Sequence, residues 1–257
     1  MHHATRLARL AAIVALLIAV QPAGRAQEMR DPEAVEIAAQ MMAAMGGADA
    51  FNDARYVRFD FKVGQDGDWR VDRSHLWDKW TGRYRFERLL DDGQRAVVLF
   101  NVNDKQGALF LDGEKVEGDT AAEALDRAYR GFVNDSYWLA MPWKWLDPGV
   151  NLKYAGEEEH NGEVCDVVEL SFNAVGLTPG DVYKGYVSRA SKMMVHWAYT
   201  LQSDNTGAWD WEYVDAGGVK LAKTHKNAEG REINMGAVAT AAEMDDAFFT
   251  DPAKTIR

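Results

Sequence analysis

The chain has 257 residues, of which 47% are hydrophobic and 27% charged, and its formal net charge is −11 at pH 7. A surface this acidic repels nucleic-acid phosphates and anionic lipid headgroups, so we expect no nucleic-acid partner. The single cysteine, Cys165, excludes an internal disulfide, and the fold must therefore depend on its hydrophobic core.

The first 26 residues have the three parts of a secretory signal peptide. Arg6 and Arg9 precede an apolar run over residues 10–20, and the small residues Gly24 and Ala26 follow it. A transmembrane anchor is the alternative, but a membrane span needs about 20 apolar residues. We therefore expect cleavage after Ala26 and export from the cytoplasm.

Residues 27–257 are expected to form a single domain. They contain 26 basic and 40 acidic residues, a net charge of −14, and no second apolar run of comparable length. A lipid anchor would need a cysteine at the mature N-terminus, and Cys165 lies far from it. These features predict a soluble periplasmic protein that is not lipidated and has no integral membrane span.

The mature chain begins with a predicted amphipathic helix over residues 33–45. Asp31 is a favourable N-cap, and Pro32 suits the first turn of a helix. The residues that follow form one apolar stripe along the helix: Ala34, Ala38, Met41, Met42 and Met45. This stripe indicates a helix that packs on another element.

From residue 57 onward the hydrophobic period changes from 3.6 to 2. In residues 57–63 every odd residue is apolar and every even residue is charged, which is typical of a strand with one face in water. Shorter alternating runs, separated by turn-forming residues, predict further strands at 69–77, 83–88, 96–101, 108–111, 151–155, 163–172, 182–188, 193–201, 209–215, 219–225 and 231–238.

A second helix interrupts the strands. Thr120 and Glu123 form a capping box before an apolar stripe, which predicts a helix over residues 120–132. The aromatic, proline-containing connector at 137–149 suits neither helix nor sheet. Strands joined by tight turns must be antiparallel. The predicted fold is therefore mainly β (α+β): one large, curved antiparallel sheet or open half-barrel of about eleven or twelve strands, with both helices on its concave face.

No catalytic motif is recognisable, and we expect no catalytic residue, no cofactor and no metal site. The sequence has no Gly-x-Ser-x-Gly elbow, phosphate loop or dinucleotide fingerprint. The histidines His75, His160, His196 and His225 have no metal-binding spacing, although a zinc site assembled from distant strands stays open. Residues 157–160 are interpreted as a solvated hairpin turn rather than an acid–base site.

Polar residues on predicted apolar faces are the candidate ligand-binding residues. Arg73 and His75 share a face with Trp69 and Trp77 in the second strand, and Asp166 interrupts the apolar face of a later strand. A charged side chain that points into a core must be paired, or its surroundings must be wet. A β-bulge or an Arg–Asp pair would explain these residues without a ligand, whereas a cavity would make them a binding site.

The nine tryptophans are the other unusual feature. Trp77 and Trp197 lie on apolar faces of predicted strands, where they either fill the core or form the wall of a cavity for an apolar or ring-shaped ligand. We expect an apolar pocket of roughly 300–1,000 Å³ beneath the methionine-rich helix. The residues predicted to line it are Trp69, Arg73, His75, Trp77, Asp166 and Trp197.

Three segments resemble a family of exported bacterial proteins of uncharacterised function. They are residues 77–86 (WDKWTGRYRF), 134–150 (NDSYWLAMPWKWLDPGV) and 175–183 (VGLTPGDVY). That family is in turn similar to the LolA/LolB-like superfamily of periplasmic lipoprotein carriers. The resemblance implies an open half-barrel with helices closing its mouth and an apolar cavity between them, and it supplies no functional residue.

These observations lead to the hypothesis of a periplasmic binding or carrier protein that holds a lipid, a lipoprotein acyl chain or another apolar ligand. Two alternatives stay open. One is a hydrolase or lyase with acid–base groups from Arg73, His75 and Asp166, and the other is a structural envelope protein with a packed core. The presence of a cavity, and the convergence of those three side chains within it, would distinguish the three hypotheses.

Overall fold

One antiparallel sheet of fourteen strands dominates the structure, a computed structural model that describes residues 28–173 and 178–257. The predicted signal peptide, residues 1–26, lies outside the described residues. In chain order the strands are β1 (Tyr56–Gln65), β2 (Asp68–Asp78), β3 (Arg83–Leu89), β4 (Arg95–Asn101), β5 (Gly107–Leu111), β6 (Glu114–Val116), β7 (Val150–His160), β8 (Glu163–Phe172), β9 (Val182–Ser188), β10 (Met194–Thr200), β11 (Thr206–Asp215), β12 (Lys220–Lys226), β13 (Glu232–Asn234) and β14 (Ala239–Ala241).

The sheet is open, with β6 at one edge and β7 at the other. The strand order is β6-β5-β4-β3-β2-β1-β13-β12-β11-β10-β9-β8-β7, and β14 pairs with β1 outside that path. Tight turns connect most neighbours, which are antiparallel as such turns require. The predicted fold class is confirmed. The strands outnumber the prediction because β6 and β14, of three residues each, are too short to show alternation.

Four α-helices accompany the sheet within the described ranges: α1 (Pro32–Ala44), α2 (Ala48–Asp53), α3 (Asp119–Ala140) and α4 (Ala247–Thr250). Helix α3 is longer than predicted. The first residues of the tryptophan-rich connector continue it, and a 3₁₀ turn, Met141–Lys144, follows. None of the helices among the described residues is long and apolar enough to cross a membrane.

Helix α1 packs on the sheet through its apolar stripe. Asp31 caps the helix by accepting a hydrogen bond from the backbone N–H of Glu33 at 3.1 Å. Ala38, Met41 and Met45 are fully buried in a core cluster shared with β1 and with β7 to β13. Burial stabilises the fold by about 1.5–3 kcal/mol for each large side chain. We call the side of the sheet that carries α1, α3 and this cluster the helical face, and the other side the outer face.

The outer face of β1 to β4 is largely covered, although the alternation in residues 57–63 predicted a wet face. The C-terminal residues lie across it. Arg85 in β3 donates hydrogen bonds to the backbone carbonyls of Phe248 and Asp251, at 2.9 Å each. Arg85 and Glu87 are fully buried as a result. Charged residues occupy this buried face because the tail supplies the hydrogen-bonding groups that compensate for lost water.

Gly185 in β9 is required by the packing of one tryptophan. Trp145 is fully buried against the sheet, and a Cβ atom added at Gly185 would lie 2.3 Å from its Cζ2 atom. Atoms in a close-packed core do not approach one another to that distance, so only glycine leaves room for the indole ring.

We expect Gly185→Ala to lower the free energy of unfolding by about 1–3 kcal/mol, because the added methyl group overpacks the core beside Trp145. Trp145→Phe removes the ring atoms concerned and is the matched partner in a double-mutant cycle. In urea unfolding, the double variant should lose less stability than the sum of the two single variants. Additive losses would show that the two residues are not in contact.

Candidate functional site

Helix α3 organises the candidate site, because it lies along the helical face and contacts three groups of side chains. Its first half covers a cleft over β3, β4 and β5. Its middle presents Asp135 to β2, and its last turn packs Trp138 among the aromatic residues of β10 and β11.

Four side chains form a buried polar network between the middle of α3 and the sheet: Arg73, His75, Tyr84 and Asp135. Arg73 donates a hydrogen bond to Asp135 Oδ1 at 2.9 Å, and His75 Nε2 lies 3.1 Å from Asp135 Oδ2. The other ring nitrogen, His75 Nδ1, lies 2.9 Å from the hydroxyl of Tyr84. His75 and Asp135 are both 0% exposed. The hydrogen bonds of Arg73 and Tyr84 compensate for part of the lost hydration, whereas His75 Nε2 and Asp135 Oδ2 are close together without a well-directed hydrogen bond.

The register of the sheet places the two polar residues of β2 in this network. Pairing of β1 with β2 sets Arg73 opposite Phe61 and His75 opposite Phe59, so both polar side chains project from the helical face. The His75 ring stacks on Phe59 with 4.4 Å between centroids, and the guanidinium of Arg73 lies over the ring of Phe61. Arg73 and His75 therefore share the helical face, as the alternation in β2 predicted. Their partner on α3, Asp135, was not predicted from the sequence.

Burial dominates the protonation of the network. It lowers the pKa of His75, against the opposing effect of Asp135, so the imidazole is neutral at pH 7. Burial also raises the pKa of Tyr84, whose hydroxyl therefore stays protonated beside His75 Nδ1. The pair of Arg73 and Asp135 is then the ion pair of the network.

Asp166 lies elsewhere, so Arg73, His75 and Asp166 do not converge as the sequence led us to expect. Asp166 accepts hydrogen bonds from Arg189 at 2.7 Å and from the hydroxyl of Tyr154 at 3.2 Å. Its strand, β8, is separated from β2 by β1 and by β13 to β9 in strand order. The Arg–Asp pair that the sequence left open is present at Asp166, but its arginine is Arg189.

The two tryptophans of β2 lie in different surroundings. Trp77 is half-buried and packs edge-on against Phe132 of α3, with 5.2 Å between ring centroids. A register shift between Val63 and Gly64 pairs Trp69 with Gly64. This β-bulge removes Trp69 from the row of the network residues, so it does not share their face as alternation predicted.

Trp197 belongs to an aromatic cluster at the C-terminal end of α3. Trp138 of the helix stacks on it at 4.6 Å between ring centroids and meets Trp209 edge-on at 5.4 Å. Trp211 and His225 complete the cluster, with their centroids 4.3 Å apart. Trp197, Trp209 and Trp211 are at most 5% exposed, so this part of the helical face is packed core.

Open space on the helical face lies under the first half of α3, and we call it the α3 cleft. Its volume is about 160 Å³, below the roughly 300–1,000 Å³ expected of a small-ligand site. Arg88 on β3 and Arg127 on α3 border it, with Thr120 and Glu123 on the helix. Its floor is apolar and consists of Phe86, Leu90, Ala96, Val98, Leu109 and Leu111, and Ala124 lines it from the helix.

None of the six residues predicted as ligand-binding lines the α3 cleft. The position of Arg88 could have indicated the α3 cleft from the sequence, because this charged residue shares an apolar strand face with Tyr84 and Phe86. A larger depression of about 430 Å³ lies beside the edge strand β7, but charged side chains, including Arg30 and Lys153, line much of it.

Three potential metal ligands converge on the outer face: His160, His196 and Asp210. Residues 157–160 are not a hairpin turn as interpreted from the sequence, because β7 continues to His160 and the turn comes after it. The three ligands lie on three different strands, so no sequence spacing could indicate the group, and we predicted no metal site.

No protein-family model matches the chain, and no curated protein matches it. Solved structures are similar to it in fold. A DUF1329 family protein from Desulfovibrio piger is 11% identical, with a TM-score of 0.47, and the match covers 84% of this chain and 96% of that one. A putative outer membrane lipoprotein-sorting protein domain from Vibrio parahaemolyticus is 9% identical (TM-score 0.46; 85% and 97% covered). A LolA superfamily protein from Nitrosomonas europaea is 10% identical (TM-score 0.46; 85% and 97% covered). Likeness at this level concerns the fold alone.

His225 provides a test of how dry the aromatic cluster is. Burial lowers its pKa from 6.5 to about 3, so the ring is neutral in the folded protein, whereas it titrates near its ordinary pKa once unfolded. Between these two pKa values the unfolded state binds the extra proton. His225 therefore reduces stability progressively as the pH falls from about 6.5 towards about 3.

We expect His225→Phe to remove this part of the pH dependence, because phenylalanine has a similar shape and no proton to bind. When the pH is lowered from 7.5 to 4.5, wild type should lose up to about 3 kcal/mol more unfolding free energy than the variant. Urea unfolding of both proteins at the two pH values gives the comparison. An equal change of unfolding free energy in both proteins between the two pH values would show that water reaches the His225 ring in the folded protein.

Proposed function

We propose that the protein is a periplasmic carrier that binds the acyl chain of a lipid or lipoprotein, together with a nearby anionic group, in the α3 cleft. The observation that carries the proposal is an apolar floor bordered by two arginines that have no partner among the described residues. An apolar floor suits an acyl chain, and guanidinium groups pair with carboxylate or phosphate.

The two arginines are free to pair with a ligand. Neither Arg88 nor Arg127 makes a hydrogen bond or ion pair with any of the residues that the structure describes. They lie on opposite sides of the cleft, on β3 and α3, and Glu123 is the one carboxylate that lines it with them. Two positive charges against one negative charge attract an anionic group, although the chain as a whole has a net charge of −11.

The size of the cleft implies that part of α3 moves when a ligand binds. A volume of about 160 Å³ cannot contain a long acyl chain, so the first half of the helix has to lift from the sheet. This half packs on β3 to β5 mainly through partly buried side chains, among them Ala121, Ala124 and Leu125. Ala128 is its first buried residue, and Gly118, at the N-cap, provides no side-chain hydrogen bond. The second half is held by Asp135 and the aromatic cluster, so the first half is the lid in this proposal.

The geometry favours binding over catalysis. A hydrolase or lyase would need its substrate to reach His75, whose side chain is 0% exposed and surrounded by Phe59, Tyr84 and Asp135. The third hypothesis, a structural protein with a packed core, predicts that the cleft binds nothing. The proposed location depends on the signal peptide inferred from residues 1–26.

Filling the cleft should prevent binding. We expect Ala124→Trp to weaken the binding of hexadecanoic acid by about tenfold or more, about 1.4 kcal/mol, because the indole extends from α3 into the cleft. Ala122→Trp is the matched control, since Ala122 is exposed on the same helix and does not line the cleft. Calorimetric titration of delipidated protein measures the affinity, and melting temperatures show whether both variants fold.

Two outcomes would contradict the proposal. Equal affinity in Ala124→Trp and Ala122→Trp would place the acyl chain outside the cleft. Failure of the wild-type protein to bind hexadecanoic acid at all would favour the structural protein with a packed core.

The two arginines predict a preference for an anionic end group. Wild type should bind hexadecanoic acid more tightly than hexadecanol, and the double variant Arg88→Gln/Arg127→Gln should lose that preference. The ratio of the two affinities should fall by about two- to thirtyfold. Arg130→Gln is the control, because Arg130 lies on the same helix but pairs with Asp126. A preference that survives in the double variant would show that other residues bind the anionic group.

A further inference from the structure

The outer face carries a group of three side chains that the proposed carrier function does not use. Asp210 Oδ1 lies 2.7 Å from His160 Nε2 and 2.7 Å from His196 Nδ1. The potential ligand atoms of all three residues lie within 4.8 Å of one another. Two imidazole nitrogens and a carboxylate oxygen therefore converge on one point.

Strand pairing explains two of the three positions. His196 in β10 stands opposite Asp210 in β11, and Tyr186 in β9 stands opposite His196 on its other side. His160 comes from the end of β7, which lies beyond β8 and β9 in strand order, so the β7–β8 hairpin reaches across the outer face. Glu158 of the same strand accepts a hydrogen bond from the Tyr186 hydroxyl at 3.2 Å and so fixes the hairpin in this position.

The group is accessible from solvent. The side chains of His160, His196 and Asp210 are 21%, 15% and 48% exposed, so an ion can enter and a water molecule can occupy a remaining coordination position. The amide nitrogen of the exposed Asn161 lies 3.4 Å from Asp210 Oδ2 and 3.1 Å from His160 Nε2, so this side chain has to turn away from Nε2 when an ion binds.

We propose that His160, His196 and Asp210 bind one divalent transition-metal ion, for which zinc is the probe. Imidazole nitrogen suits zinc, copper and nickel, whereas calcium and magnesium prefer oxygen ligands. Three protein ligands leave one tetrahedral position of zinc open. The bound ion links the β7–β8 hairpin to β10 and β11.

Zinc binding requires each imidazole to carry its N–H on the ring nitrogen that faces away from the ion, and requires the three side chains to adjust their spacing. Ligands at about 2.0–2.1 Å in a tetrahedral site lie about 3.3 Å from one another, so the contacts to Asp210 have to widen by about 0.6 Å. Rotation of the partly exposed Asp210 side chain supplies a change of this size. Because the ligands come from separate strands, the ion binds the folded state alone and stabilises it.

The test uses the full chain with His2→Ala and His3→Ala, since this pair outside the described residues could itself bind zinc. Chelator-treated protein is titrated with zinc chloride by calorimetry, and native mass spectrometry counts the bound ions. We expect one ion per chain and a rise in melting temperature on adding zinc. His160→Gln and His196→Gln should each weaken zinc binding by about 100-fold and remove the rise.

Glu159→Gln is the matched control, because Glu159 is exposed beside His160 and is not one of the three ligands. It should bind zinc as the starting protein does. Absence of zinc binding by the starting protein would overturn the proposal, and the group would then be a hydrogen-bonded cluster only. One equivalent of zinc bound with undiminished affinity by the double variant His160→Gln/His196→Gln would overturn it as well.

Discussion

A single buried carboxylate, that of Asp135, determines how α3 lies on the sheet. The charge is tolerated at 0% exposure because Arg73 lies 2.9 Å away and His75 lies 3.1 Å away. Removing one member of such a buried pair costs about 3–5 kcal/mol, a large part of the roughly 5–15 kcal/mol that stabilises a domain. The middle of α3 is thus held at one height and in one rotation above β2.

This attachment divides α3 into two parts with different properties. Beyond Asp135 the helix packs Trp138 into a dry aromatic cluster, where any movement would expose several large rings. Before it, the helix covers an apolar cleft and has few buried residues of its own. The proposed carrier function depends on this contrast, because a lid needs one end that stays in place and another that can open at low cost.

Part of the candidate site could be predicted from β2 alone. Alternation indicates that Arg73 and His75 share an apolar face, and this is a local property of a strand. Asp135 could not be found in the same way, because Asn134-Asp135-Ser136 beside an aromatic, proline-containing segment is typical of a loop, whereas packing on the sheet continues α3 to Ala140. Asp166 was grouped with the two residues of β2 because it shows the same pattern, and alternation contains no information on strand order.

The type of each principal element could be predicted from local signals, since capping residues and hydrophobic periods depend on neighbours a few residues apart. Which face became core, cleft or surface depended on contacts between distant segments. The bulge at Gly64 turned Trp69 away from the face that carries Arg73 and His75. The C-terminal tail buried Arg85, and the β7–β8 hairpin brought His160 to His196. Each outcome depends on the free energy of contacts between residues far apart in the chain, which no local pattern contains.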